Sequence, residues 1–208
     1  RADMVTACAS NLCTAVSALR QDGQRFTLLT TAGETQPFDA VVLALQAHEA
    51  AVLLRGAPGL AERRAILERF PYHPTRVAIH GDPRFMPTDR RLWSACNHVF
   101  DQHASCITLW IGKRHGRDLF KTWVTHSPTL PQECFHLQSY NHPSMTPAYY
   151  AAQRQLASRQ GGDNLWTVGS YTQGIDSQES GLRSALVVAR ELAPRSRNLR
   201  RLEGGSPS

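Results

Sequence analysis

The sequence predicts a fold of the α/β (α+β) class, in which a mixed, mainly antiparallel sheet combines with helices. Three observations support this prediction: paired strand-like runs joined by turn residues, one apolar run typical of a buried parallel strand, and segments with a helical period. The chain has 208 residues, which is enough to bury a substantial core. Its 41% hydrophobic and 19% charged residues are ordinary for a globular protein.

The first third of the chain predicts a hairpin, a buried strand and two helices. Residues 14–19 and 25–31 have strand patterns, and the turn QDGQ lies between them. The apolar run DAVVLAL at residues 39–45 indicates a strand buried on both faces, as in a parallel sheet. Helices are predicted at residues 47–54 and 60–70, the second with its apolar residues on one face.

The middle of the chain predicts the antiparallel sheet. Strands are predicted at residues 75–80, 106–112 and 119–125, and the basic turn KRHGRD joins the last two. Residues 127–147 contain four prolines and predict a loop. Residues 148–160 predict a helix that ends at a pair of glycines.

The end of the chain predicts a strand, a glycine turn and a helix. The strand is LWTV at residues 165–168, and the helix runs from an N-cap at Asp176, with Glu179 as capping-box partner, to Pro194. The predicted buried face of this helix consists of Leu182, Ala185, Leu186, Ala189 and Leu192. Residues 194–208, which end in GGSPS, predict a disordered tail.

Charge and cysteine content exclude several classes of function. The net charge is +6, but half of this excess lies in the tail and the rest is spread thinly, which argues against a nucleic-acid surface. No apolar run approaches the ~20 residues that a membrane helix needs. The five cysteines have no disulfide-framework spacing, so we predict free thiols and a cytoplasmic location.

Four residues of zinc-ligand type lie close together at Cys96, His98, His103 and Cys106. Their spacing, C-x-H-x4-H-x2-C, matches none of the common zinc patterns. We therefore predict a polar turn between two strands and no metal site. A zinc-stabilised turn remains the alternative.

The strand–glycine–helix junction near the end is the first candidate site. Gly169 and Ser170 follow the strand directly, and a glycine there lets the backbone approach a ligand closely. The N-terminus of the next helix suits an anionic or carbonyl oxygen. Its first turns hold small residues that leave room for a flat ligand, namely Ser177, Ser180, Gly181, Ser184 and Ala185. The alternative is a capped helix that packs tightly on a sheet.

This junction also carries a family resemblance. The segment GSYTQGIDSQESGLRSALVVAREL, residues 169–192, resembles the C-terminal flavin-binding segment of the FAD-dependent amine oxidase superfamily. TAVSAL at residues 14–19 is similar to the adenine-side strand T-x-V-x-x-I of that superfamily, and DAVVLA at residues 39–44 is similar to its D-x-V-V-x-A strand. Four further segments resemble a bacterial branch of predicted NAD/FAD-binding amine oxidoreductases. They are MP at 86–87, WSACN at 93–97, YNHP at 140–143 and GLRSA at 181–185.

The resemblance implies a partial FAD-binding domain formed by residues 1–45 and 163–193, and a substrate-side domain formed by residues 46–162. It implies cofactor contacts at Val16, Ala44, Gly169, Ser170, Ser180, Gly181 and Leu182. In particular, the backbone N–H groups of Gly181 and Leu182 would face a flavin or phosphate oxygen. Substrate contacts are implied at Trp93, Asn97, Trp110 and Tyr140, each of which can equally be core or loop packing.

The implied reaction is a two-electron transfer from a C–N or C–C bond of a small molecule to the flavin, and no catalytic base is singled out. Flavoproteins of this superfamily hold the FAD pyrophosphate with an N-terminal G-x-G-x-x-G unit, and the fourteen glycines of this chain never fall in that spacing. A histidine that the branch carries before L-R-S is also absent. We therefore expect a C-terminal portion that binds FAD weakly or not at all by itself.

The missing N-terminal FAD-binding half would lie on the same or another polypeptide. The main alternative is a non-catalytic flavoprotein remnant or interaction domain. A hydrolase is not supported, because the sequence has no G-x-S-x-G elbow.

Overall fold

The computed structural model describes residues 13–100 and 105–204, which contain ten strands and five α-helices. The strands are β1 (Val16–Asp22), β2 (Arg25–Thr30), β3 (Thr35–Phe38), β4 (Val41–Leu43), β5 (Tyr72–His80), β6 (Cys96–Phe100), β7 (Ser105–Trp110), β8 (Phe120–Trp123), β9 (Cys134–Pro143) and β10 (Leu165–Thr167). The helices are α1 (Ala47–Leu53), α2 (Ala61–Leu67), α3 (Pro147–Ala157), α4 (Gln178–Leu192) and α5 (Arg197–Leu202).

The chain divides into two compact units. The first unit comprises Arg1–Pro71 and Pro143–Ser208, and the second comprises Tyr72–His142. The first unit holds all five helices, a three-stranded sheet and a two-stranded sheet, while the second holds a five-stranded sheet. The predicted α+β class is therefore confirmed.

The predicted N-terminal hairpin is confirmed. Strands β1 and β2 pair antiparallel, with Asp22 opposite Arg25 at the closed end. Gly23 in the connecting turn has a φ of 60°, which a residue with a side chain rarely adopts. Leu19 and Phe26 are fully buried, so one face of this sheet belongs to the core of the first unit.

Strands β4 and β10 form a parallel pair, as the apolar pattern of residues 39–45 predicts. The prediction of burial on both faces is wrong for β4. Val41 and Leu43 are buried, whereas Val42 is 40% exposed. Because alternate side chains of a strand point to opposite faces, only one face of β4 is covered within the described residues.

Three helices of the first unit pack against one another in sequence order. Helices α1 and α2 lie within the segments predicted as helical, and α3 begins one residue before its predicted segment; α2 is shorter than predicted and is preceded by a 3-10 turn at Pro58–Leu60. The ring of Phe70 packs edge-on against Tyr149 and Tyr171, at centroid distances of 5.3 and 5.1 Å. Among the described residues, no helix combines the length and apolar character that crossing a membrane requires.

The predicted cap of α4 is wrong by one residue. Ser177 is the N-cap, and its hydroxyl accepts a hydrogen bond from the N–H of Ser180 at 3.1 Å. Asp176 instead accepts a hydrogen bond from the Ser170 hydroxyl. Glu179 forms an ion pair with Arg183, so it does not complete a capping box. Serine and aspartate are nearly equal as N-caps, and the tertiary bond of Asp176 decides between them.

The predicted buried face of α4 is also wrong. Leu182 and Leu192 are 48% and 45% exposed, and the buried residues are Ser180, Ser184 and Val188. These three residues follow one another at intervals of four, so they share a helical face. Their small side chains let α4 pack closely against the segment that follows β10. Leucine side chains at these positions would hold the helix further away.

Helix α5 lies in the segment that the sequence predicts as a disordered tail. Ser196 caps the helix by accepting a hydrogen bond from the N–H of Leu199, and Leu199 is buried. The side chain of Arg190 donates to Glu203 at 2.6 Å. One buried leucine and one ion pair therefore order a stretch whose composition alone predicts disorder.

The second unit is built on a sheet with the strand order β6-β7-β8-β5-β9. The pairs β6–β7, β7–β8 and β5–β8 are antiparallel, which agrees with the predicted antiparallel sheet. Strand β9 lies in the predicted loop 127–147, so that loop prediction is wrong for residues 134–143. The prolines did not prevent the strand because β9 is an edge strand, and an edge position tolerates Pro143 without losing a ladder hydrogen bond.

Candidate functional site

The junction after β10 is a sharp backbone turn that needs glycine. Gly169 has φ and ψ angles of 146° and 166°. A Cβ atom built at this position would lie 2.9 Å from the ring of Tyr171. It would also lie 3.9 Å from the carbonyl oxygen of Leu45, which follows β4. The carboxyl ends of β4 and β10 therefore meet at Gly169, and Ala44 lies on the exposed segment between β4 and Leu45.

Hydrogen bonds fix this junction against the first turns of α4. The N–H of Gly169 donates to the hydroxyl of Ser184 at 2.9 Å, and that hydroxyl donates to the carbonyl of Gly181 at 2.7 Å. The N–H and hydroxyl of Thr172 donate to the carbonyl of Gly169 at 3.0 and 2.9 Å. The Ser170 hydroxyl donates to Asp176. The small residues predicted to leave room for a ligand thus also bond the helix to the turn.

The donors at the start of α4 differ from those that the resemblance implied. The N–H of Gly181 donates to the carbonyl of Ser177 at 3.1 Å, and the α-helical pattern assigns the N–H of Leu182 to Gln178 in the same way. The N–H groups that precede the first intrahelical bond are those of Gln178 and Glu179. The hydroxyl of Ser180 lies 3.0 Å from that of Ser177 and is buried.

Gly181 lies close to the junction. A Cβ atom built at Gly181 would make an ordinary van der Waals contact with the backbone nitrogen of Ser170, at 3.9 Å. The structure therefore brings Ala44, Gly169, Ser170, Ser180 and Gly181 to one end of the parallel pair. Leu182 lies on the exposed side of α4.

Val16 lies in a different sheet from these residues. Its side chain is partly exposed and lines a groove of about 640 Å³ together with Leu28, Thr30 and Phe38. This groove lies on the same face of the β1-β2-β3 sheet as the buried Leu19, because Leu19 pairs with Leu28 and Val16 pairs with Thr30. The implied adenine-side contact of Val16 stays a prediction.

The predicted substrate-side residues of the second unit are mostly engaged in internal packing. Trp93 and Trp110 contact each other edge-on at a centroid distance of 5.2 Å, and the guanidinium of Arg90 lies 4.3 Å from the ring of Trp93. Both indole N–H groups donate to backbone carbonyls, those of Pro87 and Arg117, at 2.7 and 2.8 Å. This arrangement is that of a packed loop, the alternative that the sequence left open.

Asn97 and Tyr140 differ in their surroundings. The buried amide of Asn97 accepts a hydrogen bond from the N–H of Ser94 at 3.0 Å and donates to its carbonyl at 2.8 Å, so it holds a tight turn. Tyr140 is 51% exposed on the edge strand β9. The structure therefore brings Trp93 and Trp110 together, and leaves Tyr140 on a separate strand at the edge of the sheet.

A buried polar chain in the second unit was not predicted from the sequence. The N–H of Asp82 donates to Nδ1 of His80 at 3.2 Å, which leaves the proton of a neutral imidazole on Nε2. Nε2 lies 2.7 Å from the hydroxyl of Thr122, which lies 2.9 Å from that of Thr108. His80 is fully buried, and this burial lowers its pKa. These side chains are distant in sequence, and only the register of the strands brings them into one series of hydrogen bonds.

Asp82 is the most strongly perturbed acid of the described residues. Hydrogen bonds from the side chain of Arg84 hold the pKa of this carboxyl far below its usual range, against the opposing effect of burial. The N–H groups of Gln132 and Arg84 also donate to it, at 2.9 and 3.0 Å. The ionised Asp82 thus ties its own loop, which contains Arg84, to the loop at Gln132.

The alternative zinc site finds no support in the described part of the chain. His103 lies outside the described residues, and elsewhere no group of three His, Cys, Asp or Glu residues is arranged to hold a metal. Cys106 lies opposite Val99 in the β6–β7 register. Cys96 and His98 therefore point to one face of the sheet and Cys106 to the other.

Comparisons with known proteins rest on structure alone. No protein-family model and no curated protein sequence matches the chain. A fatty acid isomerase from P. acnes matches with a TM-score of 0.62 and 9% identity, over 86% of this chain and 47% of that protein. A reduced UDP-galactopyranose mutase matches with a TM-score of 0.59 and 12% identity, over 96% and 52%.

Cyclohexylamine oxidase from Brevibacterium oxydans IH-35A matches with a TM-score of 0.53 and 13% identity, over 85% of this chain and 48% of that protein. The chain therefore spans about half the length of these solved structures. By their names, the three proteins are an isomerase, a mutase and an oxidase. The chain therefore shares the fold of about half of each of these proteins.

Proposed function

We propose that this chain is the C-terminal portion of a flavin-dependent oxidoreductase of the amine oxidase type. The observation that carries this proposal is the junction at which the carboxyl ends of two parallel strands meet the start of α4 at Gly169. In open α/β sheets, ligands bind outside the carboxyl ends of the strands, and helix N-termini attract anionic groups. A junction of this kind would suit part of a dinucleotide.

Each residue at the junction has a defined task in this proposal. Gly169 and Ser170 let the backbone approach the cofactor, and the N–H groups of Gln178 and Glu179 face its anionic or carbonyl oxygens. Gly181 has no side chain, so the backbone of α4 can approach a flat ring closely. When bound, the flavin would supply the two-electron chemistry on a small-molecule substrate, while the chain positions it.

Only part of a cofactor site is present in this sequence. The chain has no G-x-G-x-x-G turn to hold the pyrophosphate, so we propose that it binds FAD weakly by itself. An N-terminal FAD-binding half, on the same or another polypeptide, would complete the site. We further propose a bacterial, cytoplasmic protein that does not act on nucleic acid or at a membrane.

The experiment is a titration of the purified chain with FAD to millimolar concentration, followed by flavin fluorescence. We expect weak, saturable quenching. Gly181→Leu should weaken it by about tenfold, because the added side chain would hold the ring away from the backbone beside Ser170, while its Cβ meets the nearest atom only at van der Waals distance. Arg183→Leu is the matched control on the same turn, since Arg183 is exposed, and it should bind as the wild type does.

Three results would each overturn a part of this proposal. Equal binding by the wild type and Gly181→Leu would remove the junction from the cofactor site. FAD retained through desalting would mean that the pyrophosphate cradle is not needed. A complete lack of response to FAD would favour a non-catalytic remnant that serves as an interaction domain.

A further inference from the structure

A small cavity lies within the second unit, beside the 3-10 turn Pro83–Phe85 that follows β5. Its other walls come from β6, from the start of β7 and from the segment after β8. The volume of the cavity is about 130 Å³. In proteins, an apolar cavity of about 150 Å³ holds a benzene molecule. This cavity therefore has room for an organic group of about six non-hydrogen atoms.

One wall of the cavity presents cationic and polar groups. The guanidinium of Arg84 uses Nε and Nη2 to donate to Asp82, at 3.0 and 2.6 Å. A guanidinium has N–H donors on all three nitrogens, so within the described part of the chain those of Nη1 are left for another acceptor. The hydroxyl of Ser105 and the imidazole of His126 line the same space.

The polar end of a ligand in this cavity has to supply acceptors. Among residues 13–100 and 105–204, no carboxylate lines the cavity. Asp82 is bonded to Arg84 but does not line it, and the N–H of Gln132 also donates to Asp82, at 2.9 Å. A carboxylate is the acceptor whose planar geometry and charge match a guanidinium, and bonds between these two groups are stronger than neutral ones.

The rest of the wall is apolar. Phe85, Val99 and Pro128 line this part. Val99 lies directly opposite Cys106 in the β6–β7 register, so both side chains point to one face of the sheet. Val99 is 46% exposed, although it is a large apolar residue in a strand. A short hydrocarbon chain would therefore find apolar contacts next to the polar wall.

Cys106 does not make this cavity a nucleophilic site. Burial raises the pKa of its thiol, and a hydrogen bond with Thr108 opposes this effect only in part. The thiol donates to the carbonyl of Trp123 at 3.4 Å. Because the thiolate is the reactive form of cysteine, a thiol with a raised pKa is unreactive at neutral pH. The cavity is thus suited to binding a ligand and not to attacking it.

We propose that this cavity binds a small carboxylate with a short hydrocarbon chain, of about the size of butyrate. The carboxylate accepts hydrogen bonds from Nη1 of Arg84, and the hydrocarbon chain contacts Phe85, Val99 and Pro128. All residues of the site belong to the second unit, so the inference goes beyond the flavin assignment and does not rest on it.

The test is a titration of the purified full chain with butyrate at constant ionic strength, followed by amide proton and nitrogen chemical shifts. We expect saturable shifts at Ser105, Cys106 and Ser127, with a dissociation constant in the millimolar range, because the ligand has few atoms. Butylamine and butyramide have the same chain length without the negative charge. Each should bind at least about tenfold more weakly than butyrate.

Alkylation of Cys106 by iodoacetamide at about pH 8.5, followed by peptide mass spectrometry, gives a second readout. At about ten times its dissociation constant, butyrate should slow this alkylation about tenfold, because only the unoccupied cavity leaves the thiol accessible. Cys96 and Cys134 are exposed and do not line the cavity, so they are internal controls. Their alkylation rates should not change.

Two variants test the two walls of the cavity. Val99→Trp places a large ring in the cavity and should weaken butyrate binding at least about tenfold. Its matched control is His98→Trp, because His98 is also exposed on β6 but points to the other face of the sheet. Arg84→Lys keeps a positive charge beside Asp82 but removes the planar guanidinium, and it should weaken binding about tenfold.

Three results would overturn the inference. The first is no saturable shift in the wild type up to about 100 mM butyrate. The second is equal binding of butyrate, butylamine and butyramide, which would reject carboxylate recognition. The third is butyrate binding that neither Val99→Trp nor Arg84→Lys changes, which would place the ligand outside this cavity. If these variants fail to fold, the comparison of the three ligands on the wild type decides.

Discussion

The two regions that the sequence singles out as candidate sites differ in how their polar groups are satisfied. At the Gly169 junction, the first N–H groups of α4 precede its intrahelical bonds. In the second unit, the indole groups of Trp93 and Trp110 and the amide of Asn97 all bond to nearby backbone. A group whose bonds are complete within its own loop supports the fold, whereas N–H groups at the start of a helix can bind an anionic ligand.

The largest expected effect is at Gly169. Gly169→Val forces a β-branched residue into a φ of 146° and against the ring of Tyr171, so we expect unfolding free energy to fall by about 3 kcal/mol. Urea denaturation measures this. The control is Gly116→Ala, where φ is also positive but the space is open, and about 1 kcal/mol is expected. Similar losses in both variants would contradict a tight junction.

The next largest effect on stability is expected at Arg63, which holds the chain segment that leads into β10. Its buried guanidinium donates to the carbonyls of Arg159, Gly162 and Leu165. Arg63→Met leaves these carbonyls without their charged donor, so we expect a loss of about 2 kcal/mol in thermal or urea unfolding. Arg64→Met, which removes a partly exposed i,i+4 ion pair on the same helix, should change stability by less than about 0.5 kcal/mol. Equal effects would remove Arg63 from this supporting role.

A smaller effect is expected in the second unit. Asn97→Ala breaks both bonds of the Ser94 turn, and we expect a loss of about 1.5 kcal/mol in unfolding free energy. Tyr140→Phe removes only an exposed hydroxyl, and stability should stay within about 0.5 kcal/mol of the wild type. A change in FAD quenching by Asn97→Ala in a normally folded protein would reverse the comparison and make Asn97 a site residue.

The smallest effect concerns the polar chain at His80. Burial lowers the pKa of His80 in the folded protein, so its neutral form contributes stability above the unfolded pKa of about 6.5, and that contribution is lost as pH falls below it. The loss is at most about 1.4 kcal/mol per pH unit. Urea unfolding between pH 7.5 and 5 should show this slope, and His80→Gln should flatten it.

Two controls sharpen the pH measurement. His126→Gln replaces an exposed histidine and should leave the slope unchanged. The lowered pKa of Asp82 acts in a separate window, because the unfolded carboxyl titrates near pH 4, and stability from Asp82 is lost only below that value. A slope between pH 7.5 and 5 that survives in His80→Gln would contradict the role of His80.

The local sequence pattern predicted most of the helices and strands, but it did not predict which of their faces are buried. The hairpin, the parallel strand β4 and helices α1 to α4 follow from turn residues and hydrophobic period. Strand β9 was missed because prolines suggest a loop, yet a sheet edge tolerates them. The buried face of α4 was missed because the hydrophobic period selects leucines, while close packing at Gly169 selects serines.

The sequence by itself determined the fold class, the glycine at the strand–helix junction and the lack of a G-x-G-x-x-G turn, since these depend on residue types at short spacing. Only the tertiary structure decided which N–H groups of α4 precede its intrahelical bonds, that His80 meets Thr122 and Thr108, and that no strand of residues 13–100 and 105–204 pairs with the outer edge of β4. These features join residues far apart in the chain. Their hydrogen bonds are set by strand register and packing, which a single sequence does not encode locally.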